Sequence, residues 1–210
     1  ASTKAYNTQL AALYLLALKL ADVLGRITQQ DMAGYLQKLA ILPDLLAETL
    51  TVKDQIQRFV ADHFNARNIF FIGRGIDYAL AMEASLKLKE ISYIHSEAYA
   101  GGELKHGTIA LIEEGTLVVC ALTQPSLVDK MISNIREVKS RGAVVLGIIS
   151  PACQKAAEVC DTVFAIPDTD PLFSSILAVT PTQLFAYYMT VYKGYDVDKP
   201  RNLAKSVTVE

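Results

Sequence analysis

The chain has 210 residues, 51% hydrophobic and 20% charged, with a formal net charge of −2. That length and balance suit one large α/β domain with a sizeable core and exclude a disordered polar chain. No basic run stands out, so nothing points to nucleic acid or an anionic membrane as partner.

Ser2 or Thr3 is placed to cap a helix running to about Leu24, with Gly25 as its stop. This helix is apolar nearly all round, so cover is expected on several sides, another subunit being one source. Its run 10–18 is too short to span a bilayer, is stopped by Lys19 and lacks the marks of a signal peptide. The chain opens on Ala1 rather than Met and enters helical pattern at once, which suggests a piece of a longer protein. A second helical pattern covers 28–50, broken at Pro43, and a third covers 51–65.

From Asn68 the pattern changes. Ile69-Phe70-Phe71-Ile72 is a continuous apolar run ended by Gly73-Arg74-Gly75, the opening of a strand–turn–helix unit. A helix is expected over 77–91, a short strand over 93–99 and a buried strand over 116–122. Pro125 opens a helix to about Arg141, followed by a strand over 143–150. Pro151 opens a short helix to Val159. A strand over 162–166 and a long helix over 171–193, kinked at Pro181, complete the pattern. Residues 194–210 have no period and read, by themselves, as a loose tail. Alternating apolar strands and helices imply a three-layer α/β sandwich, a parallel sheet of about five strands flanked by helices. Such sheets take ligands beyond the carboxyl ends of their strands.

The densest chemistry lies in 82–107, MEASLKLKEISYIHSEAYAGGELKHG. Glu83, Lys87 and Glu90 fall at i, i+4 and i+7, so they share one helix face. Leu80, Ala84, Leu88 and Ile91 form the opposite, apolar stripe. On spacing alone the charged face reads as solvated surface with one ion pair. The loop that follows, opened by Gly101-Gly102 and bearing Glu103, Lys105 and His106, favours a site. Glu90 could serve as a general base, Lys87 could hold it ionised or bind a sugar hydroxyl or phosphate, and His106 could exchange protons near neutrality. His95 reads as a core histidine, and His63 as a helix-face residue without a specific role. The turn 73–75 does not match a dinucleotide fingerprint, and no P-loop is present, though Gly75 before a helix could receive an anion. Cys120, Cys153 and Cys160 are scattered and read as reduced thiols of a cytoplasmic protein. No metal spacing occurs, so neither metal nor cofactor is expected.

The stretch ASLKLKEISYIHSEAYAGGELKHG, the ending DVDKPRNLAKSVTVE and the opening ASTKAYNTQL together resemble the isomerising glutamine–fructose-6-phosphate aminotransferases. That family joins a glutaminase domain to two sugar isomerase (SIS) domains, and this chain resembles the second SIS domain plus the C-terminal tail. The resemblance implies N-terminal helices over 1–67, an SIS core with flavodoxin-like strand order over 68–193, and a tail over 194–210 that closes the sugar site. It implies that Lys205 forms a Schiff base with the ketone of fructose 6-phosphate, and that Glu90 moves a proton between C1 and C2. His106 would open the sugar ring, reaching the site from a neighbouring subunit, and Lys87 would sit beside the base. Ala204, Ala1 and Ser2 would line the sugar pocket. A homodimer is the implied assembly, with the glutaminase and the first SIS domain on the same full-length chain. The turn at 121–126, ALTQPS, is poorer in hydroxyls than the family's Ser/Thr-rich phosphate loop and lacks glycine. The phosphate cradle is therefore expected in the other SIS domain. A sugar-phosphate-binding module without catalysis and a dimerisation scaffold are the competing functions, and neither needs a Schiff-base lysine.

Overall fold

The computed structural model describes residues 1–201. Four helices come first: α1 (Lys4–Val23), α2 (Gln29–Ala40), α3 (Leu42–Thr49) and α4 (Lys53–His63). Five strands then alternate with helices: β1 (Asn68–Gly73), α5 (Ile76–Ser92), β2 (His95–Ala100), β3 (Leu117–Leu122), α6 (Val128–Lys139), β4 (Val144–Ile149), β5 (Thr162–Ala165) and α7 (Ser174–Tyr192). The strands form one parallel sheet in the order β2-β1-β3-β4-β5. This is the flavodoxin-like order.

Because side chains alternate across a strand, each apolar run feeds two cores. Ile69, Phe71, Leu117, Val119, Leu146, Ile148 and Phe164 pack on α4, α5 and α7. Phe70, Ile72, Val118, Cys120, Leu122, Val145 and Ile149 pack on α6 and on a 3-10 segment, Pro151–Val159. Both faces of the sheet are covered, as the continuous apolar runs require.

Several local details differ from the sequence expectations. The second helical pattern breaks at Ile41, not Pro43, because proline fits the first turn of the next helix, where its missing N–H costs nothing. Pro125 starts a short 3-10 turn, and the α-helix proper begins at Val128. Pro151–Val159 is 3-10 rather than α. α7 begins at Ser174 and carries Pro181 in its interior. The first helix is covered on one stripe only: Tyr6, Leu10 and Tyr14 pack on the core and Leu18 is buried. Leu13, Leu16 and Val23, on its other faces, are exposed. Tyr14 fixes this stripe by stacking edge-on against Phe173 at 5.0 Å and donating to the Leu172 carbonyl at 2.6 Å.

Candidate functional site

Helix α5 is buried on more than one side. Leu80, Ala84, Leu88 and Ile91 face the core as the periodicity predicts. The charged face is not the solvated surface that spacing suggested. The Lys87 side chain is only 6% exposed, and it lies between Glu83 at 14% and Glu90 at 21%. Lys87 Nζ stands 3.7 Å from Glu83 Oε1 and donates a hydrogen bond to Glu90 Oε2. A buried ammonium with two flanking carboxylates is therefore the centre of the cluster. Burial raises the pKa of Glu83, the Lys87 charge opposes that rise, and Glu90 adds to it. Tyr6 of α1 lies against the same cluster. Its hydroxyl is pushed up to about 12, mainly by burial and next by the Glu83 charge.

The chain direction places the other candidates. α5 links two parallel strands, so it runs back from the carboxyl edge of the sheet to the amino edge. From Ile76 to Glu90 it descends about 21 Å at 1.5 Å per residue. Glu90 therefore stands near the strand starts, where Asn68 is paired with His95. His106 follows β2, in a 3-10 turn (Leu104–His106) at the carboxyl edge, and is exposed. The fold brings Glu83, Lys87 and Glu90 together and holds His106 of the same chain at the opposite end of the sheet. The cluster is thus outside the crevice at the carboxyl ends of the strands, where ligands of such sheets were expected.

Ala1 and Ser2 are exposed just ahead of α1. Lys205 and Ala204 lie outside the described residues. The chain leading toward them is anchored at Tyr93, three positions after Glu90. Tyr93 adopts the left-handed conformation (φ 61°), which is uncommon for a side chain of its size. Its hydroxyl accepts the Arg201 N–H at 2.8 Å, its ring lies 4.2 Å from the Arg201 guanidinium, and it contacts the Tyr195 ring at 5.0 Å. Nothing in the residue pattern signalled this anchor beyond the aromatic residues themselves.

The remaining histidines differ from one another. His95 is not a core residue. Its side chain is 65% exposed at the start of an edge strand, 3.7 Å from Glu97. His63 stacks on Phe59 at 4.1 Å and bonds the Phe59 carbonyl at 2.7 Å, a helix-end role. Among the described residues no group of His, Cys, Asp and Glu has metal-site geometry, and no helix is long and apolar enough to cross a membrane.

A family model described as the SIS domain matches residues 64–193. The chain belongs to the SIS domain family. Along its whole length this SIS chain is 55% identical to a glutamine–fructose-6-phosphate aminotransferase [isomerizing] of Caldanaerobacter subterraneus, covering 34% of that protein. It is 53% identical to the enzyme of the same name from Clostridium acetobutylicum, again over 34% of the relative. The SIS chain thus spans about a third of the length of the curated relatives it matches. Among solved structures it superimposes on the C-terminal domain of glucosamine-fructose-6-phosphate aminotransferase from Francisella tularensis with a TM-score of 0.91. That match has 35% identity and covers 95% of this chain and 57% of the other. The match confirms the parallel α/β sandwich expected from the strand and helix pattern and the SIS fold that the resemblance implied.

Proposed function

We propose that this chain is the second SIS domain and tail of an isomerising glutamine–fructose-6-phosphate aminotransferase, and that it carries the ketose–aldose step of glucosamine 6-phosphate formation. The observation that carries this reading is the buried row Glu83–Lys87–Glu90. Burying an ammonium between two carboxylates is costly and adds little net stability, so such a row is better explained by chemistry than by folding. The names of the relatives point the same way. A binding module or a scaffold would have no use for an aimed base.

In this reading Lys205 attacks C2 of the open-chain ketose and water leaves, giving an imine. Ammonia then displaces the lysine. Glu90 takes a proton from C1 and returns it at C2, while Lys87 holds the carboxylate in one orientation. At an ordinary lysine pKa only about one Lys205 in a few thousand is neutral at pH 7, so a desolvated setting is required for the attack. His106 opens the sugar ring across a subunit boundary, in a homodimer. The separation of Glu90 and His106 along one chain supports this assignment. The partners are the sugar phosphate and, on the same full-length chain, a glutaminase and a first SIS domain. A cytoplasmic setting accords with three free thiols.

The test uses the full-length protein. Borohydride in the presence of fructose 6-phosphate should fix the sugar on Lys205, and Glu90→Gln should still give that adduct while losing isomerisation. An adduct on another lysine, or none from active enzyme, overturns the assignment of Lys205. Isomerisation retained by Glu90→Gln overturns that of Glu90.

A further inference from the structure

The crevice where strand order reverses, between β1 and β3, is the usual ligand position in a sheet of this kind. In this protein the crevice contains a set of donors suited to an anion, and the chain's own carboxylate occupies it. Asp77, in the first turn of α5, is 2% exposed. Its Oδ2 accepts the Thr123 N–H at 2.8 Å, and its Oδ1 accepts the Thr123 hydroxyl at 2.5 Å. Burial raises the Asp77 pKa, and the Thr123 hydroxyl and the Thr123 and Gln124 backbone amides oppose that rise. Ser174 Oγ lies 2.7 Å from Thr123 Oγ1, and Gln124 Nε2 donates to both hydroxyls at 3.0 and 3.2 Å. The N-termini of α5 and α7 converge here, and the buried Ser175 Oγ has no partner among the described residues. Consecutive backbone amides, hydroxyls and helix N-termini are the groups that hold phosphate oxygens.

The space is closed as well. β1 ends in Gly73, where a Cβ would strike the backbone of Asp77 and Tyr78. The first turn of α5 therefore rests directly on the strand end. A phosphate brought to this crevice would meet a fixed negative charge and donors already in use.

We propose that Asp77 is an internal counterpart of a phosphate, closing this domain's strand-end crevice to phosphorylated ligands, and that a small neutral side chain at position 77 opens an oxyanion site. The proposal is independent of the catalytic assignment of Glu90 and Lys205.

The experiment titrates the unaltered 210-residue chain, Asp77→Ser and Asp77→Asn with inorganic phosphate, at constant ionic strength made up with chloride. Calorimetry measures binding, and thermal melts measure stabilisation relative to the unaltered chain. The freed donors and the lost repulsion should raise phosphate affinity of Asp77→Ser about a hundredfold or more. Saturable binding to the variants, absent from the unaltered chain, supports the proposal. If Asp77→Ser unfolds, recovery in phosphate but not in chloride supports it equally. Phosphate bound as tightly by the unaltered chain overturns it. So do folded variants that bind no phosphate, or unfolded ones that phosphate fails to recover.

Discussion

Replacing Lys87 with methionine tests whether the charged row of α5 is buried in the physical sense. Methionine keeps most of the stem volume, so packing changes little. What is lost is the positive charge between Glu83 and Glu90, 3.7 Å from the first and hydrogen-bonded to the second. At an effective dielectric of about 20, the Glu83 contact alone corresponds to about 4 kcal/mol of Coulomb energy. Removing one member of a buried ion pair costs about 3–5 kcal/mol. For a chain of this size that is a fall in Tm of about 6–20 °C. The defect should also depend on pH. Burial already raises the pKa of Glu83, and Lys87 opposes the rise. Without the lysine that folded-state pKa climbs further above its unfolded value. The folded chain then binds a proton more tightly than the unfolded chain, and stability is regained as pH falls. Thermal melts followed by circular dichroism at about pH 8 and pH 5 should show the larger loss at the higher pH, and Glu83→Gln added to Lys87→Met should restore part of it. A loss under about 3 °C, equal at both pH values, would mean that the row is screened by water and that its burial carries no energetic weight.

Two further outcomes follow from the geometry. If the proposed roles of Lys205 and His106 hold, the placement of Glu90 and His106 at opposite ends of one sheet means that mixing full-length Lys205→Ala and His106→Ala chains, each inactive alone, should restore part of the activity in heterodimers. No recovery despite proven subunit exchange would place His106 outside the shared site. Asp161 accepts bonds from Lys139 at 2.6 Å and from the Val145 N–H at 2.8 Å. Burial works to raise its pKa, but these bonds together outweigh it and hold the carboxylate below its ordinary range. Its contribution is therefore complete above that range and disappears as pH falls through the lowered value. Asp161→Asn should unfold at lower urea than the parent at pH 7, and the difference should shrink as pH falls below the ordinary carboxylate range, in equilibrium urea melts.

The local grammar of this protein is legible in its sequence. Ile69-Phe70-Phe71-Ile72 and the run 116–122 are apolar on both faces, and only a strand covered by helices on both sides uses such a run. Glycine and proline mark where most elements begin and end, although Pro43 and Pro151 show that proline announces a first turn without fixing its type or the preceding break. The common face of Glu83, Lys87 and Glu90 also follows from spacing alone. Its burial does not, because helical period specifies which residues point together and says nothing of what is packed on them. The same limit applies to His95, whose strand-like neighbours gave no hint that β2 is the sheet edge and leaves it exposed. Asp77 and Thr123 are 46 residues apart, and only the reversal of strand order between β1 and β3 brings them into contact. The distance between Glu90 and His106 is likewise a consequence of chain direction: a crossover helix between parallel strands must run antiparallel to them, so residues 16 apart in sequence finish at opposite edges of the sheet.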